Sequence, residues 1–459
     1  MGSLSVRIKT GVFCFLIAAV GNVECAVAGD DLDREIATLQ ADIASYRAAR
    51  AEARDDALRR SLVLQSLEGV LADLAPSTEP DGSRSSTAAG WDGSFGWRSP
   101  DSGFSLSVSA QIMIRYVLNQ RSGERDLPGN PASVERGLEN RRTRLVFAGT
   151  LLDASWAYQI RGSYRRNGGE FFLEDTWIRK SFGNGVSVMV GQFKPAFLRE
   201  DTVSSRRQLI IERSVVCDFF RQAWAQGIQA RMITDDVRLT GWFGDGIGPK
   251  SFGAVRFNSI NTPWERTATA YSATGRIDWK VDGEWWQFDD FNSPRGSPDG
   301  TMLGLAVATQ RANANLGLAD GTVVSAVTAD ATLCFSGASV FVSGVVASVA
   351  PRNASKSVPW GVTAQAGVFV LDPLELYLRY EYMDADDPVR IDPETARFNG
   401  VTVGGNWFFA PEIKLSLDLV YNFASLAGGA FISNGVGFRR DAPGETGQWA
   451  LRAQLQLVF

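Results

Sequence analysis

The sequence predicts an all-β chain that closes into a transmembrane antiparallel barrel of about sixteen strands, preceded by a periplasmic α-helical coiled-coil segment. Three observations carry the barrel. From Trp91 onward apolar residues recur at every second position in segments of about ten residues, the length a tilted strand needs to cross the hydrocarbon layer. The last segment shows the period best, with Trp449, Leu451, Ala453, Leu455, Leu457 and Phe459 alternating with Gln448, Ala450, Arg452, Gln454 and Gln456, and it ends on an aromatic residue. Finally, tight turns at Asp153-Ala154, Gly183-Asn184-Gly185, Thr234-Asp235-Asp236, Leu371-Asp372-Pro373 and Pro411-Glu412 are interleaved with long polar loops. A soluble sandwich would also alternate. The aromatic clusters at strand ends (Trp156 and Tyr164, Tyr380 and Tyr382, Trp407, Phe408 and Phe409) favour the interfacial girdles of a membrane barrel.

Composition narrows the chemistry. The 459 residues include 46 glycines, carry a formal charge of -5 and contain no histidine. Without imidazole, Ser-His-Asp and Cys-His catalysis and most zinc and haem sites are excluded, so the chain is read as no enzyme, with no cofactor and no metal. A net acidic chain without a basic tail argues against a nucleic-acid partner.

Taken in order, Arg7 and Lys9 precede the apolar stretch Val12 to Val20, and Ala26-Val27-Ala28 supplies a small-x-small cleavage pattern, so residues 1–28 read as a signal peptide. Lipidation at Cys25 is the weaker alternative, because Glu24 precedes it. Residues 29–75 carry a heptad seam through Leu32, Ile36, Leu39, Ile43, Tyr46, Ala53, Ala57, Leu64, Leu67, Leu71 and Leu74, interrupted by Arg50 and Arg60. The seam suits a self-associating coiled coil with possible periplasmic or cell-wall contact; a lone amphipathic helix is the alternative. Residues 76–95 turn to Pro, Ser, Thr and Gly, a flexible linker. Residues 96–459 form the barrel, with strand starts expected near Phe104, Arg141, Ser155, Phe171, Val186, Trp224, Val237, Ala268, Met302, Thr322, Ala338, Trp360, Leu374, Arg397, Ile413 and Gly447. Alternation is weakest near Met302 and Thr322. Cys217 and Cys334 are too few for a disulfide scaffold.

Sixteen strands imply a water-filled lumen. The face opposite the apolar one holds Arg115, Arg142, Arg144, Arg161, Arg165, Arg231, Arg238, Arg276, Lys280, Arg379, Lys414 and Arg452 against Asp278, Glu375, Glu381 and Asp418, a basic wall in an acidic protein. Arginine's planar fork pairs with carboxylate and phosphate oxygens. The other reading is that each wall arginine pairs with a loop acid and stiffens the barrel.

The series Gly191-Gln192-Phe193-Lys194-Pro195-Ala196-Phe197, Ser204-Ser205-Arg206-Arg207 and Glu212-Arg213-Ser214, with the preceding Asp175-Thr176-Trp177 strand, resembles the third-loop region of the phosphate-selective porin O and P family. The resemblance is strongest over roughly Arg141 to Phe220. It implies a homotrimeric sixteen-stranded porin of the bacterial outer membrane, surrounded by lipid and lipopolysaccharide, whose third loop (about 195–220) folds into the lumen. It also implies passive diffusion of small anionic solutes, phosphate among them. Carried over by position, Arg206 is a basic constriction residue beside Arg207, and Arg142 and Arg144 fall on the arginine-bearing wall. Gly191, Phe193, Lys194, Pro195 and Phe197 bend and seat the loop. A general non-selective porin and a structural tether with a plugged barrel are the competing readings.

Overall fold

The computed structural model of the protein describes residues 88–91, 95–99, 103–120, 134–166, 168–246, 261–263, 265, 269–312, 321–352, 355–386, 397–424, 434–438 and 447–459. The segments assigned above to a signal peptide and a coiled coil, and most of the linker, lie outside the described residues.

Two short strands, β1 (Ala88–Trp91) and β2 (Phe95–Arg98), form a hairpin. Sixteen longer strands follow: β3 (Phe104–Gln120), β4 (Val134–Leu151), β5 (Asp153–Tyr164), β6 (Phe171–Gly183), β7 (Val186–Phe193), β8 (Ala225–Ile233), β9 (Val237–Gly244), β10 (Thr269–Asp282), β11 (Gly300–Ala312), β12 (Val323–Phe335), β13 (Ala338–Ala350), β14 (Trp360–Leu371), β15 (Leu374–Asp384), β16 (Arg397–Ala410), β17 (Ile413–Asn422) and β18 (Trp449–Val458). Each pairs antiparallel with the next, and β18 returns to β3, with Trp449 opposite Gln120 and Val458 opposite Gln111. The sheet is therefore a closed barrel with no free edge. Below Gln111 β18 no longer reaches β3, and there β2 takes its place, with Phe95 opposite Val108.

The expected strand starts fall within two residues of these starts everywhere except β4. That strand begins at Val134 rather than near Arg141, because its first residues, Val134 to Asn140, are largely exposed on both faces and carry no alternation to read.

The side-chain pattern is the reverse of a soluble sandwich. In β17, Leu417 is 54% exposed while its neighbour Asp418 is 2% exposed. An apolar outer face with ionic residues buried inside needs lipid as its outer solvent. Exposed aromatics mark both ends of the apolar band, with Trp156, Phe182, Trp407 and Phe459 on the tight-turn side and Tyr164, Phe243, Trp360 and Phe423 on the loop side. The tight turns are one to three residues long where described, with one exception, residues 283–299 between β10 and β11.

Inside the ring, the segment between β7 and β8 holds two short helices, α1 (Arg199–Thr202) and α2 (Val215–Phe220), the latter capped by the Ser214 hydroxyl, which accepts from Cys217 N–H at 2.9 Å. Phe197, Val215, Val216, Phe219 and Phe220 pack with the inward side chains Ala306, Ala308, Ala326, Val345 and Ala347, forming the main apolar core. Each fully buried Phe contributes about 2–3 kcal/mol against exposure to water. Small wall residues leave the room these rings fill, so that the lumen beside β11 to β13 is packed with apolar side chains. Cys217 and Cys334 are both buried and unpaired with each other.

Candidate functional site

The chain enters the lumen through two backbone devices. Opposite β5, the β6 register shifts so that Arg161 faces Asp175 and Gly162 faces Leu173, leaving Glu174 as an extra residue. This bulge turns two consecutive carboxylates away from the lipid, Glu174 2% and Asp175 6% exposed. Glu174 lies 2.7 Å from Arg144, and Asp175 lies 2.9 Å from Arg161. Strict alternation places one of that pair outside, so sequence reasoning missed both acids as wall groups. At Gly191 the backbone adopts φ +137°, and a Cβ there would stand 2.1 Å from the Thr176 carbonyl oxygen. Phe193 then buries against Ala225 and Trp242. Lys194 donates to the Asp201 carboxylate at 2.7 Å and lies over the Trp224 ring. Burial and the nearby Arg213 push the Lys194 ammonium down to about 8, with Asp201 pulling the other way. Phe197, two residues after Pro195, is fully buried.

From there residues 194–224 cross the lumen, and the wall hydrogen-bonds to their backbone on several sides. Arg276 donates to the Phe197 carbonyl (2.9 Å), Gln456 to Arg206 (3.1 Å), Lys414 to Gln208 (3.0 Å), Asn406 to Leu209 (2.8 Å) and Arg379 to Glu212 (2.8 Å). The carboxylate of Glu212 is the hub. Arg115 reaches it at 3.0 Å and Arg142 at 2.8 Å, and Arg141 also donates to it. Burial alone would raise that carboxyl, but Arg141, Arg142 and Arg115 hold it well below the usual carboxylate range. Arg142 thus fixes the loop to the wall, and Arg144 does so by donating to the Ser205 hydroxyl. Elsewhere Arg276 is clamped between Asp278 and Asp330, and Arg452 donates to Asp418.

A smaller set of arginines stands differently. Among the described residues, Arg179, Arg199, Arg206 and Arg231 have no carboxylate within ion-pair distance, and buried guanidinium nitrogens of Arg179, Arg199 and Arg231 have no hydrogen-bond partner. Arg199 is 5% exposed and stacks over Phe291. Burial, with Arg238 and Arg276 nearby, pushes its guanidinium down to about 10, so it stays charged at neutral pH. Arg207 has only a loose contact, 3.9 Å to Asp289, while Arg238 is paired with Asp278 at 2.9 Å and lies over the Trp285 ring. Arg165 sits at the loop-side end of β5, with its side chain 61% exposed and 3.7 Å from Glu170.

Two cavities lie beside these groups. A cavity of about 280 Å³ lies between the loop and the β8–β10 wall, lined by Arg199, Arg207, Arg231, Arg238, Arg276 and Asp289 among others. A second, of about 720 Å³, is lined by Arg206, Arg207, Asp290 and Lys414 and by residues at the tight turns, Asp372, Pro373, Pro411 and Glu412. Arg207 borders both. Of the sequence-derived arginines, Arg206, Arg207, Arg231, Arg238 and Arg276 line these cavities, and the last two are held by carboxylates. Arg199 and Arg179 were missed: the first lies in the bend read as purely structural, and the second follows the β6 bulge, where parity is lost. Such a site can hold an oxyanion by charge and by directed N–H donors, and among the described residues no cluster suited to a metal is present.

Comparison with known proteins agrees with the barrel fold. The family model "Phosphate-selective porin O and P" matches residues 125–238, the stretch that contains the bulge, the loop and its arginines. No curated protein matches the chain. Among solved structures, the chain is similar in fold to an anion-selective porin from Comamonas acidovorans, at 14% identity and TM-score 0.52, with 78% of this chain and 100% of that one covered. It is likewise similar to the outer membrane channel DcaP of Acinetobacter baumannii, at 11% identity and TM-score 0.52, covering 81% and 100%.

Proposed function

We propose that the protein is a porin of the bacterial outer membrane, a passive channel that prefers small anions, phosphate or other oxyanions, and that it works as a homotrimer. The observation that carries this is the set of arginines with buried guanidinium nitrogens that lack a partner, Arg199 and the half-buried Arg231 above all, lining a cavity of about 280 Å³. Leaving a buried charged donor unsatisfied costs about 1–3 kcal/mol or more, so such groups are kept where a passing ligand meets them. Fixed charge in a narrow, low-dielectric passage acts on ions more strongly than the same charge at the surface. In this reading the carboxylate-clamped arginines hold the third loop in place, and the unclamped ones select. In the same proposal residues 29–75 serve as a trimeric periplasmic coiled coil in contact with the cell wall, to be tested by deletion and cross-linking, while residues 1–28 direct export.

The test is the reversal potential in asymmetric salt. Replacing Arg207 and Arg231 by Ser together is expected to lower anion preference severalfold, whereas Arg397→Ser, at the exposed loop-side rim, is expected to leave it unchanged. A wild-type channel with no preference for anions would overturn the reading.

A further inference from the structure

We infer that the turn-side insert 283–299 is the second jaw of the constriction, opposite the third loop, and that Asp289 tunes how tightly the passage holds an oxyanion by competing for Arg207. The inference rests on the reading of the lumen as an anion passage.

The insert stands out by length and by where it goes. The other described connections on that side are one to three residues long, yet this one spends seventeen residues and turns into the barrel. Its Phe291 is 2% exposed and joins Val203, Leu209, Ile210, Phe341 and Tyr377 in one apolar cluster directly under the loop. The Phe291 N–H donates to the Arg207 carbonyl at 3.1 Å, which ties the two jaws backbone to backbone. Asn292 donates to Glu375 at 2.6 Å, Ser339 to the Phe291 carbonyl at 2.7 Å, and Arg295 to the Phe369 carbonyl at 2.8 Å, so the insert is anchored to the wall on several strands.

This anchoring delivers two acids to the cavities that Arg207 borders. Asp289 lines the smaller cavity and Asp290 the larger, and Arg207 lines both. The pairing of Asp289 with Arg207 is of a different kind from those on the wall. Its atoms are 3.9 Å apart and both side chains face water, 40% exposed on Arg207 and 59% on Asp289, against 2.8 Å and near-complete burial for Arg142 with Glu212. An exposed, long ion pair is weak, so a diffusing oxyanion displaces it. A tethered carboxylate next to the binding group is also a competitor at high effective concentration, returning as soon as the ligand moves. Conduction needs a site strong enough to admit an ion and weak enough to release it, and a built-in competitor supplies the release. The ligands concerned are small oxyanions, carboxylate or phosphate, that the arginine fork accepts.

The experiment uses the full-length protein in planar bilayers, with inorganic phosphate titrated against chloride current, for wild type, Asp289→Asn and Asp289→Glu. Asp289→Asn is expected to lower the half-blocking phosphate concentration about twofold to fivefold and to move the reversal potential toward anions, with Asp289→Glu restoring both. Unchanged or weaker block in Asp289→Asn, with a wild type that prefers anions, overturns the role of the insert and leaves the porin reading standing. If the wild type shows no anion preference, the porin reading fails as stated. The insert's role then stands or falls on whether Asp289→Asn still shifts the reversal potential toward anions.

Discussion

Glu212 illustrates how one residue can organise a lumen. Its carboxylate is shared by Arg115, Arg141 and Arg142, so Glu212→Gln takes their common counter-charge from three largely buried guanidinium groups and leaves Arg115 with Glu139 alone. Breaking a buried pair from one side costs about 3–5 kcal/mol. The third loop of that variant is therefore expected to become accessible to protease in detergent while the barrel persists, and an equally resistant loop would show that the hub is dispensable. The pH dependence has a definite sign. A carboxyl held below its ordinary value contributes stability that is present above the unfolded value and is lost only as pH falls through the folded one. At pH near 4, where a free glutamate is about half protonated, Glu212 remains ionised and the wild-type loop is expected to stay docked.

At the scale of elements, the loop helix α2 behaves like part of a soluble core. Phe220 is fully buried among Val215, Val216 and wall alanines, so Phe220→Ala is expected to cost the loop's docking about 3–5 kcal/mol, read as noisier and larger single-channel conductance. The same packing explains what the sequence revealed and what it concealed. Strands β15, β17 and β18 meet polar loop backbone on their inner face, so Arg379, Lys414 and Arg452 interrupt the apolar residues and the period of two is plain. Strands β11 to β13 meet α2 instead, and Ala306, Ala326 and Val345 stand inside where polar residues were expected, which blurs the alternation around Met302 and Thr322. Arg231 and Arg238 were readable as basic residues on an inner face, and Arg206 and Arg207 through the resemblance of the loop, whereas Arg199 was not. Which of them are clamped depended on Glu174, Asp175 and Glu212, acids brought inward by a bulge and a loop that carry no periodic signal.

For the whole molecule the decisive property is closure. With β18 bonded to β3, every described strand of the ring has two neighbours, and neither detergent nor moderate heat has an edge to open. Unheated protein is expected to migrate differently from boiled protein on a gel, with far-ultraviolet dichroism dominated by strand. Identical migration, together with a helical spectrum, would exclude the barrel.

The packed side of the lumen gives this barrel two surfaces that avoid water for separate reasons. Outside, the apolar band is shielded by hydrocarbon, which urea hardly enters. Inside, the faces of β11 to β13 are shielded only by Phe197, Phe219 and Phe220 and their neighbours, and the medium they escape is aqueous. Docking of the loop therefore carries a heat-capacity change and a denaturant slope of its own, as folding of a small soluble domain does, whereas the wall around it carries almost none. Chaotropes act on this protein from within, melting its filling before its shell.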